Sequence, residues 1–157
     1  MTEAATGRPI QYTTPQGYSS RVLATLTPNQ VVLPGATGIM PLDAIVFDGL
    51  LEFDLATSYF SPKRPGYYLV GFGLTYVPSQ VNRIYYSSVF LWGTVWTVSD
   101  WNTWSVLVPA FWPIAKASTI IYLEPGDRLG LSFQNGSAIN CTVIGGGRTF
   151  MYAHRLS

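Results

Sequence analysis

Acid–base and nucleophilic chemistry need a short roll of side chains, and this chain of 157 residues holds few of them. Its single histidine, His154, would have to be the base of any Ser-His-Asp or Cys-His arrangement. It stands on one strand face with Tyr152 and Leu156, where a packed or interface histidine accounts for it. The one thiol, Cys141, has no second thiol or histidine at metal-ligand spacing and reads as a small buried hydrophobe. Asp48, Glu52 and Asp54 form the one acidic cluster, with oxygen ligands of the kind calcium takes; a solvated strand edge explains them more simply. Gly145, Gly146 and Gly147 resemble a phosphate cradle, but a strand pattern follows rather than a helix, so a hairpin turn is expected. The five tryptophans, Trp92, Trp96, Trp101, Trp104 and Trp112, form a candidate ligand or partner surface by stacking on sugar rings, although core and intersubunit packing is the plainer use. No catalytic residue, cofactor site or metal site is therefore expected, and the chain reads as a non-enzyme.

The composition says where to look instead. Residues are 48% hydrophobic and 15% aromatic but only 11% charged, against roughly 25% charged in an average soluble domain. Asp100 is the only charged residue between Arg83 and Lys116. A small sandwich cannot hide so much apolar surface inside itself, and a contiguous exposed patch marks a contact site. No run approaches the roughly 20 apolar residues of a membrane-spanning helix, and the first residues lack a basic region followed by an apolar block. A net charge of +1 with scattered Arg and Lys offers no stripe for a phosphate backbone. Neither a membrane nor nucleic acid is expected as a partner.

The elements that would position these residues are strands. Residues 1–20 mix Thr, Ser, Gly, Pro and Gln with few aliphatic side chains and read as an extended arm; residues 21–157 read as one domain. Short apolar runs at Val22–Leu26, Val31–Leu33 and Ala44–Phe47 are cut by Thr27-Pro28-Asn29, Pro34-Gly35 and Asp48-Gly49. Leu50–Leu55 alternates weakly. Then comes the central stretch, Tyr59 to Tyr76, alternating at period two with aromatic and β-branched residues. Arg83–Val98 is a long strand or a hairpin. Ser118–Leu123 and Arg128–Phe133, joined by Glu124-Pro125-Gly126-Asp127, read as a hairpin, Ala138–Ile144 as one more strand, and Arg148–Leu156 as the last. About eight to ten antiparallel strands and no amphipathic helix mean a sandwich or jelly roll.

The central stretch FSPKRPGYYLVGFGL resembles the F-x-x-P-x-x-G-x-Y-x-F signature of complement C1q heads and their tumour necrosis factor-like relatives. Ile45-Val46-Phe47-Asp48 is similar to the family's V-x-F-D strand, Leu123-Glu124-Pro125-Gly126-Asp127-Arg128-Leu129 to its L-x-x-G-D-x-V turn, and the segment from Thr149 to Leu156 to its closing T-F-x-G-x-x-L. In the GYYLV strand and the MYAHRLS ending the chain looks most like C1q-like domains of bacteriophage and bacterial proteins. The resemblance implies an all-β C1q/TNF-like jelly roll that assembles as a trimer, with one sheet facing the threefold axis.

Alternation divides the side chains between two faces. Tyr68, Val70, Phe72, Leu74, Phe150 and Tyr152 are expected to fill the core. Tyr67, Leu69, Gly71, Gly73, Met151 and Ala153 are expected at the trimer interface, as small or flat groups that let subunits approach. Burying even 1,000 Å² of apolar area would be worth on the order of 25 kcal/mol before association entropy is subtracted. The function these readings imply is a homotrimeric capsid decoration, cement or spike protein on a virion, made in the host cytoplasm. Its arm would grip the major capsid protein. The alternative is a receptor- or glycan-binding head of a phage fibre or bacterial surface protein.

Overall fold

In the computed structural model the described residues are 20–77, 85–92, 97–100 and 114–156. They form thirteen strands: β1 Arg21–Thr25, β2 Gln30–Val32, β3 Thr37–Ile39, β4 Ala44–Asp48, β5 Phe53–Asp54, β6 Tyr59–Phe60, β7 Gly66–Val77, β8 Tyr85–Trp92, β9 Thr97–Asp100, β10 Ile114–Leu123, β11 Arg128–Asn135, β12 Cys141–Val143 and β13 Phe150–Arg155. No helix among the described residues is long and apolar enough to cross a membrane.

The strands make two antiparallel sheets, each built around one long strand. In the first, β7 is paired along one edge by β10 from Gly66 to Thr75 and along the other by β13 and then β12. β1 and β4 extend that sheet beyond β13, and β2 extends it beyond β12. In the second, β11 pairs with β8 on one edge and with β3 and β6 on the other, while β9 and β5 close the two ends. The arrangement is a jelly-roll sandwich.

Two expected hairpins are absent, for one reason. β10 and β11 are consecutive but unpaired: the turn Glu124–Asp127, closed by the Asp127 carboxylate on the Glu124 amide at 2.8 Å, carries the chain from the first sheet to the second. Nor is Gly145–Gly147 a hairpin turn. β12 and β13 follow each other along the same edge of β7, with the Ile144 amide donating to Thr75 O at 2.8 Å and the Thr75 amide reaching Thr149 Oγ1 at 3.3 Å. The glycines form a loop thrown out of one interrupted strand. Gly146 and Gly147 adopt φ of 62° and 77°, which L side chains rarely take, and their amides bond to Thr27 O and Leu26 O. In both places local turn chemistry announces a reversal, and long-range pairing to β7 decides which neighbour the next strand meets.

Between the sheets lies the core. Tyr68, Val70, Phe72, Leu74 and Tyr76 of β7 are buried against Phe60, Leu129, Leu131 and Phe133. Rings cross the gap: Phe60 meets Tyr68 edge-on at 5.7 Å, and Tyr76 meets Phe133 tilted by 50° at 5.6 Å. Met151 and Ala153 of β13 are also in this core, each 1% exposed, whereas Phe150 and Tyr152 are half-buried on the opposite face. The expected faces of β13 are thus exchanged. The register is the cause: Met151 pairs with Phe72 and Ala153 with Val70, so both share the inward side of β7.

Two polar clusters that enter the sandwich are hydrogen-bonded. Asn135 is fully buried in β11; its Nδ2 donates to Val32 O and Ile139 O, both at 2.9 Å, and its Oδ1 accepts from the Ser137 amide and hydroxyl. The amide therefore ties β2 of one sheet to β11 of the other. Near the opposite end Glu52 is only 3% exposed. Its carboxylate accepts from Ser20 Oγ at 2.6 Å and from the Lys63 amide at 2.8 Å, and Tyr68 Oη, 3.0 Å from Ser20 Oγ, donates to Arg64 O. Burial raises the pKa of the Tyr68 hydroxyl. Ser20, expected as the last residue of the arm, is thus packed into the domain; residues 1–19 lie outside the described residues.

Removing the Asn135 side chain would take a buried donor from Val32 O, while Ile139 O keeps the Ser137 hydroxyl; such a loss costs about 1–3 kcal/mol. Asn135→Ala is expected to lower the unfolding free energy in urea by roughly 2 kcal/mol, and Ser132→Ala, at the half-buried Ser88–Ser132 contact, by less than about 1 kcal/mol.

Candidate assembly face

Among the described residues, the outward side of the first sheet brings several exposed apolar side chains together. β7 contributes Tyr67, Leu69, Gly71, Gly73 and Thr75; across the ladders these meet Tyr122, Ile120, Ser118, Lys116 and Ile114 of β10 on one side. On the other side stand Phe150, Tyr152 and His154 of β13, followed by Arg21, Leu23 and Thr25 of β1 and Phe47 of β4. Ile114, Ile120, Tyr67, Tyr122 and Phe47 are all exposed, Ile120 by 60%.

Two glycines shape this surface. A Cβ on Gly71 would stand 2.5 Å from Tyr152 Oη and 2.7 Å from Ala117 O, and one on Gly73 2.5 Å from the Phe150 ring. The rings of Phe150 and Tyr152, with centroids 6.5 Å apart and planes 26° from parallel, therefore lie over the bare backbone of β7. This is how an aromatic on one strand covers a glycine on the next, and it explains why the bulky residues of β13 face outward. Tyr67 meets Tyr122 edge-on at 5.3 Å. Beside Tyr152 a depression of about 340 Å³ is lined by Arg21, Val22, Leu23, Phe47, Leu69, Ala153 and His154, with the Arg21 guanidinium 5.6 Å from the Phe47 ring centre.

The only carboxylate on the strands of this face is that of Asp48, at the end of β4. Most acids of the described residues are spent on nearby donors. Asp48 accepts from the amides of Leu50, Glu52 and Phe53. Asp54 accepts from the Ala56 amide and the Thr57 hydroxyl, which hold its pKa below the ordinary value. Asp43 is lowered in the same way by the side chain and amide of Thr27. The acidic cluster does not converge, and Glu52 is buried rather than part of a solvated edge; among the described residues no group of three His, Cys, Asp or Glu could hold a metal ion.

The expected site residues sort as follows. Tyr67, Leu69, Gly71 and Gly73 lie together on the outer face, joined by Phe150 and Tyr152, which had been placed in the core. Met151 and Ala153, expected at an interface, are internal. The Gly-x-Gly spacing in a central strand was the signal for this exchange, since the two vacancies need large rings from a neighbour. His154 is exposed on the outer face rather than packed. Trp92 ends β8; Trp96, Trp101, Trp104 and Trp112 lie outside the described residues. Cys141 is buried, its thiol donating to Val77 O at 3.3 Å and its pKa pushed up to about 12 by burial.

With that geometry described, known structures supply the comparison. The fold is the C1q/TNF-like jelly roll. A TNF, Eiger, from S. frugiperda matches with a TM-score of 0.64 at 11% identity, covering 90% of this chain and 94% of its own. The globular domain of zebrafish complement 1qA matches at 0.58 and 15% identity, covering 88% and 98%. Murine APRIL matches at 0.59 and 13%, covering 87% and 99%. No family model matches the chain, and no curated protein does. Identities this low speak to the fold alone.

Gly71 and Gly73 differ in what stands over them. Gly71→Ala meets a backbone carbonyl that cannot step aside and is expected to cost about 2 kcal/mol of stability, while Gly73→Ala meets only a ring that can turn away and should cost less than about 1 kcal/mol, both read from urea midpoints. A thiol with its pKa raised to about 12 is almost wholly protonated at neutral pH. Cys141 is therefore expected to react with a disulfide reagent only when the protein is unfolded in urea; rapid labelling of the native protein would contradict its burial.

Proposed function

We propose that the chain is a non-enzymatic structural protein that works as a homotrimer, its copies joined through the outer face of the first sheet. The observation that carries this reading is that face itself: exposed Ile114, Ile120, Tyr67, Tyr122 and Phe47 around two ring-covered glycines, with the one carboxylate of its strands, Asp48, turned to its own loop amides. Such a surface loses free energy in water and gains it against another apolar surface. The trimeric state is what the C1q/TNF-like motifs imply, and the shortage of charge supports it.

The biological role follows as the second half of the proposal. The trimer decorates or cements a viral capsid, with residues 1–19 as the strap that grips neighbouring copies of the major capsid protein and the jelly roll projecting from the shell. It is made in the host cytoplasm and mounted on the virion surface. Supporting this reading are the likeness of the GYYLV and MYAHRLS segments to C1q-like domains of bacteriophage proteins, the polar arm without a core of its own, and an inventory too poor in acids, bases and nucleophiles for catalysis. A receptor- or glycan-binding head using the tryptophan-rich segment is the outcome the same experiment distinguishes.

Sedimentation at micromolar concentration is expected to give a trimer. Ile120→Asp, which places a charge on an exposed side chain of the face, should give a folded monomer. Trimers mixed with empty capsids should bind stoichiometrically and raise the temperature at which the shell opens, and removal of residues 1–19 should abolish that binding while leaving the trimer intact. Saturable glycan binding with tryptophan quenching and no affinity for capsids would replace the capsid role; a stable monomeric wild type would remove the assembly reading.

A further inference from the structure

His154 occupies a peculiar place in the assembly face. Its cross-strand partner on β1 is Arg21 and its partner on β7 is Leu69, and with them it lines the apolar depression beside Tyr152. From β4 that depression receives Phe47, over whose ring Arg21 lies. Asp48, the next residue of β4, has its carboxylate turned to the amides of its own loop. Beyond β7, β10 brings Ile120 and Tyr122, with Lys116 farther along opposite Gly73. On β13 itself the same face holds Tyr152, while the Arg155 guanidinium donates to Pro65 O at 3.0 Å. The charged groups around the imidazole are thus cations, and no carboxylate on these strands faces it. Among the described residues His154 and Arg21 form no ion pair with an acid.

We propose that His154 makes the self-association acid-sensitive. Histidine is the side chain whose charge changes near pH 6.5 in the ordinary case. In the separate subunit the His154 side chain is exposed to water. When a second copy covers the face, water is removed and the same charge is left beside Arg21 in an apolar setting, where both desolvation and like-charge repulsion act against it. The separated subunits therefore bind more protons than the assembled ones. By linkage, lowering the pH through the histidine range drives dissociation, and the effect multiplies with the number of copies that carry an imidazole in the contact. The chain's single histidine lies at the surface where copies meet, and the device needs no movement of the fold. This inference rests on the reading of the outer face as the assembly surface.

The test is a dilution series followed by sedimentation at about pH 8 and about pH 5.5, for the wild type and His154→Gln, with circular dichroism on the same samples. The wild type is expected to need roughly ten times more protein at the lower pH to hold half of its subunits assembled, with the strand signal unchanged. In His154→Gln the ratio between the two pH values should fall to near one, whatever the absolute strength of that variant. A complex equally strong at both pH values overturns the switch and leaves the assembly reading standing. No complex at either pH overturns the assembly reading itself, and the switch with it. Acid dissociation that persists in His154→Gln, or that coincides with loss of the strand signal, also overturns the switch.

Discussion

Two side chains that β7 lacks govern how its neighbour lies against it. Gly71 and Gly73 leave vacancies on the outer side of the longest strand, and Tyr152 and Phe150 fill them with rings. That fit commits the parity of β13: Met151 and Ala153 must then point inward, against Phe72 and Val70. A slip by one residue would drive two aromatic rings into the core and strip the glycines of their cover, so the register is held from both faces at once. β1 takes its own register from β13, pairing Leu23 with Tyr152, and β4 takes its from β1. The outer surface is consequently an extension of one local packing problem.

Charge is distributed by a different rule. With so few acids, the chain uses them as loop fasteners: Asp43 on Thr27, Asp48 on the amides of Leu50, Glu52 and Phe53, Asp54 on the Ala56–Thr57 turn, Asp127 on Glu124. A carboxylate accepting backbone donors replaces the water those amides would otherwise need. The consequence is an apolar, faintly basic sheet face with no countercharge of its own. The proposed self-association and its proposed sensitivity to acid both rest on that allocation.

The two sheets are joined by more than apolar contact. Asn135 at one end and the Ser20–Glu52–Tyr68 group at the other clamp strands that belong to different sheets or to loops between them. Each polar atom there has a partner, so burial costs little while the geometry is kept and much once one partner is lost. Neither clamp is visible from local pattern. Asn135 is one more polar residue following a strand, and Glu52 sits in a weakly alternating segment beside two acids that stay near water.

By itself the sequence determined the class of fold, because period-two alternation, turn residues and the missing helical period are local properties. The F-x-x-P-x-x-G-x-Y-like stretch and its companions in order pointed to the C1q/TNF-like jelly roll on the same footing. It also carried the expectation of a contact surface, since composition bounds how much polar exterior a chain can show. Tertiary structure alone decided which strands are neighbours. Glu124–Asp127 and Gly145–Gly147 look like hairpin turns, yet one crosses between sheets and the other is a loop within a strand, because β7 and β11 offer ladders that outcompete the nearest strand in sequence. It alone decided the faces of β13, since alternation says that two sets of side chains part company but not which set goes inside; that choice belonged to the room left by two glycines on another strand.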